Sequence, residues 1–333
     1  MTGSGGPVRS GMARLADGVL EATVVGGFGS PGIRLRRAMF DWAPIPRMDG
    51  RRVLITGATS GIGRAAALEM AGLGAEVTIL GRDPQRTAQA AADIAGASTA
   101  GRAGGSIIAD LRLLADARRA ADEARADGRA WDVLVHNAGA LVDAHDLTPE
   151  GFEATYAAQV LSPHILTSRL LPALERGTDP RVVVVSSGGM YAEKLDLASL
   201  HMSADSYDGV RAYARAKRAQ VTMNEQWATR MAGSPVGFHC MHPGWADTPG
   251  VAESLPTFRR VTRSILRTPQ EGADTLVWLS AEPRLPAPSG SFWLDRTVRR
   301  TVRIPGTATS PETAAALWDL VCEQTAERPR SGR

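Results

Sequence analysis

Apolar residues in this chain come in short bursts. From Arg52 onward, runs rich in β-branched side chains recur at 53–56, 77–80, 106–109, 133–136, 182–185 and 236–241, each followed by a longer stretch patterned for a helix. Near-continuous apolar runs of this length predict strands buried on both faces. Strands separated by helix-length segments predict βαβ units, and right-handed crossovers then wind them into a parallel sheet with helices on both sides. The expected fold class is α/β, a single doubly wound domain of about seven mostly parallel strands in the order 3-2-1-4-5-6-7. The last short strand is expected at 291–294 and a terminal helix at 311–324.

Residues 1–50 read differently. A Gly/Ser start leads into Met12, Leu15, Val19 and Leu20 near helical spacing, and Pro44-Ile45-Pro46 marks a linker. The expected division is an N-terminal extension at 1–50 with a short helix, followed by the doubly wound domain at 51–333. Within that domain a substrate lid is expected around 245–268. The apolar positions of the extension, Phe28 included, stand beside Arg34, Arg36 and Arg37. Two readings stay open: a tether docked on its own domain, or a segment over residues 1–48 resting on a membrane surface.

With 333 residues, 44% of them hydrophobic, the chain can bury a full core. The formal charge of +3 comes from arginines, among them Arg34, Arg36, Arg37, Arg259, Arg260, Arg263, Arg299, Arg300 and Arg303, nearly balanced by acidic residues. These read mostly as solvated surface, with the remainder as contacts to anionic lipid or phosphate. No nucleic-acid motif accompanies them. Cys240 and Cys322 match neither a disulfide framework nor a metal-ligand spacing, so no metal is expected and a reducing cytoplasm fits. The stretch 19–28 is too short and broken for a membrane span. Location is expected to be cytoplasmic, or peripheral to a membrane, and the choice between monomer and homo-oligomer stays open.

Directly after the first predicted strand comes Thr56-Gly57-Ala58-Thr59-Ser60-Gly61-Ile62-Gly63, which opens a helix running to about Leu73. Glycines there let the backbone approach a pyrophosphate, whose charge the helix N-terminus stabilises. A glycine cluster alone is a weak signal, and the strand before and helix after make it a Rossmann-type dinucleotide turn. The second strand ends at Gly81, where a site preferring NAD usually carries a carboxylate for the ribose 2′-hydroxyl. Arg82 follows at once, and a guanidinium suits a 2′-phosphate. NADP(H) is therefore the expected cofactor, with Asp83 as a neighbour that could neutralise Arg82.

Tyr213 and Lys217 lie four residues apart on a predicted helix and share a face. An ammonium beside a phenol favours the ionised form, so the phenol can exchange a proton near working pH.

These motifs, taken in order, resemble the short-chain dehydrogenase/reductase superfamily from about Arg51 to the C-terminal helix: the glycine turn, Asp110, Asn137-Ala138-Gly139, Ser186-Ser187, Tyr213 with Lys217, and Pro243-Gly244 with Thr248. The segments 185–190, 242–250 and 272–275 look like the orphan branch named dehydrogenase/reductase family member twelve, itself similar to retinol-dehydrogenase-like members. The resemblance implies that Tyr213 is the general acid in carbonyl reduction and the base in alcohol oxidation. It implies that Ser187, which directly precedes the Gly-Gly-Met turn, holds the substrate oxygen, and that Lys217 binds the nicotinamide ribose and tunes Tyr213. Gly57, Thr59, Ser60, Gly61, Ile62 and Gly63 would cradle the phosphates. Asp110 and Leu111 would meet the adenine, Asn137, Ala138 and Gly139 the adenosine ribose, and Pro243, Gly244 and Thr248 the carboxamide.

One position departs. Gln159 stands where the family usually places an asparagine that shapes a helix kink and holds a water linked to the lysine, which puts the proton relay in doubt. Trp245, Met190, Tyr191 and Phe258 fall where the family's pocket and lid lie, and their size suggests a lipid-like substrate. The sequence thus supports an NADP(H)-dependent oxidoreductase acting on a small apolar carbonyl or alcohol. Its alternative is a weakly active or inactive NADP(H)-binding scaffold or sensor.

Overall fold

Each of the seven apolar runs becomes a strand. In the computed structural model, which describes residues 7–99, 102, 104–254 and 256–329, these are β1 (Arg52–Thr56), β2 (Glu76–Gly81), β3 (Ser106–Ile108), β4 (Val133–His136), β5 (Arg181–Val185), β6 (Gly237–Met241) and β7 (Phe292–Leu294). They lie parallel in the order β3-β2-β1-β4-β5-β6-β7, with Val53 opposite Val133 and Val135 opposite Val183 across the centre. Winding reverses between β1 and β4, and this opens a crevice at the C-terminal strand ends.

Every residue of β1, β4 and β5 is buried, because helices cover both faces. One core packs Gly61–Gly72, Pro84–Ala97 and Pro269–Ala281 against the sheet, and the other packs Leu114–Ala124, Ser162–Leu174, Gly209–Arg230 and Pro311–Thr325. Alanine-rich faces such as Ala117, Ala120, Ala121 and Ala124 let these helices sit close to the strands.

An eighth strand, β8 (Thr297–Val298), runs antiparallel to β7 and extends the sheet. The sequence does not announce it, since its turn is Asp295-Arg296 rather than a glycine or asparagine pair. Both turn residues nonetheless sit at φ +53°, the left-handed geometry a two-residue hairpin requires. Side-chain partners hold them there: Asp295 by Arg36 and Arg267, Arg296 by Asp274.

The N-terminal extension forms three helices rather than one, Pro7–Ala22, Val24–Phe28 and Ser30–Met39, which strap across the sheet at the β7–β8 end. The side chain of Met12 lies outside the described residues. The strap is docked by charge. Arg36, with no exposed surface, binds Asp17 at 2.5 Å and Asp295 at 2.7 Å, while Arg267 grips the same Asp295 through both terminal nitrogens at 2.7 and 2.9 Å. Arg299 joins Asp17 and Glu21, and Arg303 joins Glu21. Arg34 pairs with Glu271 and Arg37 with Asp274. Most of the arginines expected at the surface are exposed, but Arg36 and Arg299 are buried structural cations. Leu15 and Val19 face outward, at 76% and 67% exposure.

Candidate active site at the sheet crevice

The glycine turn is shaped by what crowds it. Gly57 and Gly61 take φ +68° and +56°, which favour glycine. A Cβ on Gly63 would fall 2.3 Å from Asn137 Nδ2 and 2.5 Å from the Gly57 carbonyl oxygen. The turn is braced from β4: Asn137 donates its side-chain amide to the carbonyls of Thr56 and Gly57, and the backbone N–H groups of Asn137 and Ala138 both donate to Thr56 Oγ1. Ser60 occupies the cap position of the helix Gly61–Gly72, but its side chain makes no cap hydrogen bond. The N–H groups of that first turn, from Gly61 through Gly63, suit an anion. Thr59 lies beside them, its methyl 3.1 Å from a Cβ built on Gly81. This donor set fits a dinucleotide pyrophosphate.

At the far end of the crevice, Gly81 closes β2 with no room for a longer side chain, since a Cβ there would meet Thr87 Oγ1 at 2.2 Å. Arg82 is exposed, and among the described residues it makes no ion pair. Asp83 makes no ion pair with it among the described residues and accepts from the Arg86 N–H as the cap of the next helix. Asp110, half-buried, is bound by Arg112 through side chain and backbone. Burial pushes the Asp110 carboxyl up, and its hydrogen bonds to Arg112 outweigh that and hold it below its ordinary value. Leu111 is buried and its carbonyl accepts from Ser162.

The reactive side chains meet where β5 ends. Ser186 points inward and donates to the Lys217 carbonyl at 3.0 Å, whereas Ser187 is half-exposed, caps the turn Gly188–Ala192 and lies beside the Tyr213 phenol. Tyr213 and Lys217 ride on the helix Gly209–Arg230, capped by Asp208. The ammonium lies 5.2 Å from the Tyr213 ring centroid and donates to the Val185 carbonyl at 2.9 Å and Gln220 Oε1 at 3.1 Å. Burial pulls the Lys217 ammonium down to about 8. The expected lowering of the phenol does not occur: burial raises Tyr213, with only the neighbouring Ser187 acting the other way.

Gln159 lies within this cluster, and the reason is a proline. Pro163 has no N–H, so the carbonyl four residues back, that of Gln159, receives no helical hydrogen bond. The helix opens into a π turn over Ala157–Leu161, with the Ser162 N–H reaching the Ala157 carbonyl. Gln220 Nε2 fills the vacated place on the Gln159 carbonyl at 2.7 Å, while Gln220 Oε1 takes the lysine. Gln159 Nε2 donates to the Ala140 carbonyl, leaving its Oε1 buried without a partner. A Cβ on Gly139 would lie 3.0 Å from that oxygen and 3.2 Å from Lys217 Nζ, so glycine is what lets the two approach. The sequence reading missed Gln220, although it is one turn beyond Lys217. It also missed Thr56, the brace of the turn.

After β6, Gly244 takes φ +75° and packs on Arg267, which donates to the Pro243 carbonyl. Thr248 lies against Gly61 across the crevice mouth, a Cβ there being 3.3 Å away. A backbone bridge between Ala246 and Arg267 closes the loop, and helices Pro249–Ser254 and Pro256–Thr262 occupy the segment expected as a lid. Met190 and Tyr191 are buried, and Trp245 is half-exposed. The side chain of Phe258 lies outside the described residues. Among those residues no group of His, Cys, Asp and Glu could hold a metal, and no helix is long and apolar enough to cross a membrane.

A family model described as short chain dehydrogenase matches residues 51–257. The chain belongs to the short-chain dehydrogenase/reductase family. It is 37% identical over 289 residues to dehydrogenase/reductase SDR family member 12 of Bos taurus, covering 85% of this chain and 88% of that one. It is 33% identical to polyprenol dehydrogenase of Mus musculus, over 85% and 87% of the two chains. Among solved structures, an uncharacterized protein from Mycobacterium paratuberculosis matches 86% of this chain and 98% of its own at a TM-score of 0.69 and 30% identity. A short chain dehydrogenase from Shigella flexneri complexed with NADP matches 75% and 98% at 0.60 and 26%. The chain is thus a dehydrogenase/reductase with a small-molecule substrate.

Proposed function

We propose that the protein is an NADP(H)-dependent oxidoreductase that interconverts an apolar, lipid-like carbonyl compound and its alcohol. The observation that carries this reading is the convergence of Ser187, the Tyr213 phenol and Lys217 at the end of β5, with the ammonium 5.2 Å from the phenol ring. The turn from Gly57 to Gly63 would hold the pyrophosphate, Arg82 the 2′-phosphate, Asn137 to Gly139 the adenosine ribose, Lys217 the nicotinamide ribose, and the segment Pro243 to Thr248 the carboxamide. Asp110 and Leu111 would border the adenine. Bound there, the nicotinamide supplies or accepts the hydride.

The chain's own part is the proton and its placement. A phenol kept protonated by burial is the right form to donate to a carbonyl oxygen, and Ser187 Oγ donates a second hydrogen bond to that oxygen. In the oxidative direction the phenolate form of Tyr213 takes the alcohol proton, and the positive Lys217 favours that ionised form. Gln220 and Gln159 hold that lysine in place. The lipid-like substrate is supported by Met190, Tyr191 and Trp245 beside the site and by the name of the polyprenol relative. NADP(H) is supported by Gly81-Arg82 and by the NADP complex of the Shigella relative.

Replacing Tyr213 with Phe deletes the proton donor and keeps the shape. Expected is a loss of turnover on apolar aldehydes of about 10²–10⁴-fold, with NADPH binding intact by fluorescence titration. Wild-type turnover in Tyr213→Phe would sink the mechanism. NADPH binding with no turnover by the unmodified chain would favour the scaffold or sensor reading, for which the unpartnered Gln159 oxygen is the motive.

A further inference from the structure

The strap reaches further into the site than docking requires. Phe28, the last residue of its second helix, stacks on Trp245 with ring centroids 5.6 Å apart and 17° between planes, and tilts against His242 at 5.0 Å. The Arg303 guanidinium lies 5.5 Å from the same ring. A Cβ built on Gly188 would fall 2.5 Å from Phe28 Cε1, so the ring lies directly on the residue that follows Ser187. It is half-exposed.

The backbone behind the ring is held on both sides. The Phe28 carbonyl accepts from the Trp245 N–H at 2.8 Å. On one side of it Arg36 binds the Gly26 carbonyl, and on the other Arg267 binds the Gly29 carbonyl. Both arginines are anchored on Asp295. A strap meant only to cover the sheet edge would be served by those ion pairs, none of which involves Ser187 or Gly188. An aromatic ring fixed within contact of the Ser187–Gly188 turn instead meets the substituent of any carbonyl compound whose oxygen is held by Ser187 and Tyr213.

We propose that Phe28 is a specificity-determining residue: it closes the apolar end of the substrate site and sets how long a carbonyl compound the site accepts. The proposal rests on the oxidoreductase reading above and adds to it a wall contributed by a segment outside the region that the family model matches. One methylene more or less is worth roughly 10–200-fold in discrimination at an apolar pocket. Removing the ring should therefore move the length preference by about tenfold or more.

The test uses the full chain and straight-chain aldehydes from butanal to dodecanal, with kcat/KM for each. In parallel, binding of the matching alcohols to the NADP⁺-saturated protein is followed by tryptophan fluorescence, since Trp245 lies at the ring. Expected for Phe28→Ala is a dodecanal-to-butanal ratio raised about tenfold or more over wild type, in kcat/KM and in binding alike, with NADPH affinity unchanged. Phe28→Trp should shift the ratio the other way, which keeps the proposal testable should the alanine variant fold poorly. An unchanged ratio, or equal losses at every length, would overturn it and leave Phe28 a packing residue. If the unmodified protein reduces no aldehyde, the oxidoreductase reading fails on its own, while the alcohol-binding series still decides whether Phe28 limits length.

Discussion

The glycine turn and the seam beneath the N-terminal strap both gather distant segments at the same end of the sheet, yet they are made of opposite materials. The turn is built from small residues and backbone groups, and it carries no charged side chain between Thr56 and Gly63. Its brace is neutral, the Asn137 amide on two carbonyls. The seam is almost wholly ionic, with Asp17, Arg36, Arg267, Asp295 and Arg299 all buried. The turn leaves helix N–H groups facing outward, ready for a partner from solution. The seam turns its charges on one another, away from solution. A set of buried pairs is held together by the cost of separating any one of them, because the remaining charge has no water to return to. The turn should therefore govern ligand affinity, and the seam should govern whether the strap and the β7–β8 hairpin stay folded against the domain.

The comparison breaks most visibly at Asp295. Changing Asp295 to Asn leaves Arg36 and Arg267 facing a neutral amide in a dry site, which should lower stability by about 3–5 kcal/mol. In a urea melt of the variant the midpoint should fall accordingly, while NADPH affinity measured well below that midpoint stays near wild type. If affinity collapses with stability, the two regions are not separable.

The reverse pattern is expected at the other end. Arg82→Ala should weaken NADPH by about 1.5–3 kcal/mol, the scale of a hydrogen bond to a charged group, leaving NADH and the urea midpoint nearly unchanged. Equal losses for both cofactors in a binding titration would remove Arg82 from the 2′-phosphate. Gly63→Ala should cost about 1–3 kcal/mol through crowding of Asn137 and the Gly57 carbonyl, and calorimetric NADPH binding should register more of it than the melting temperature does.

The smallest expected effect concerns Lys217. Its ammonium, drawn down to about 8 by burial, loses its proton as pH rises through that value, so kcat/KM should fall on the alkaline side. Gln220→Glu sets a carboxylate 3.1 Å from the nitrogen and should carry that limb up by about one unit or more. A pH profile with an unmoved limb would show that the lysine does not set it. The stability sign is opposite. Between about 8 and the ordinary 10.5 the unfolded chain binds more protons at this residue than the folded one, so burying Lys217 costs least at high pH.

How much of this could be read beforehand follows the same divide. The strands, the glycine turn and the Ser187, Tyr213 and Lys217 cluster are written locally: apolar runs, glycines at fixed offsets and a four-residue helix spacing. The seam has no local signal. Arg36 and Asp295 are 259 positions apart and Arg299 and Asp17 are 282 apart, and an arginine beside other arginines looks like surface until its partner is known. β8 was hidden for a related reason, since its turn owes its geometry to Arg36, Arg267 and Asp274 rather than to a glycine. The shift of Tyr213 was misjudged because spacing shows who is near, while burial depends on everything packed around the ring. Gln159 could be suspected from its type, but its hold on Gln220 follows from Pro163, a link visible only once the helix is counted residue by residue.

The separation between strap and seam also bears on how the chain is made. Residues 17 to 36 leave the ribosome long before their partners at 295 to 303 exist. At about 5–20 residues per second, an interval of 282 residues lasts roughly 15–55 s. Throughout it Asp17, Arg36 and Phe28 have no seat, and charged groups among the apolar ones keep the waiting segment hydrated. Docking can come only after the β7–β8 hairpin turns, so a segment translated early is assembled late. A nascent chain halted before Asp295 should expose the strap to protease, whereas the finished protein should resist cleavage there.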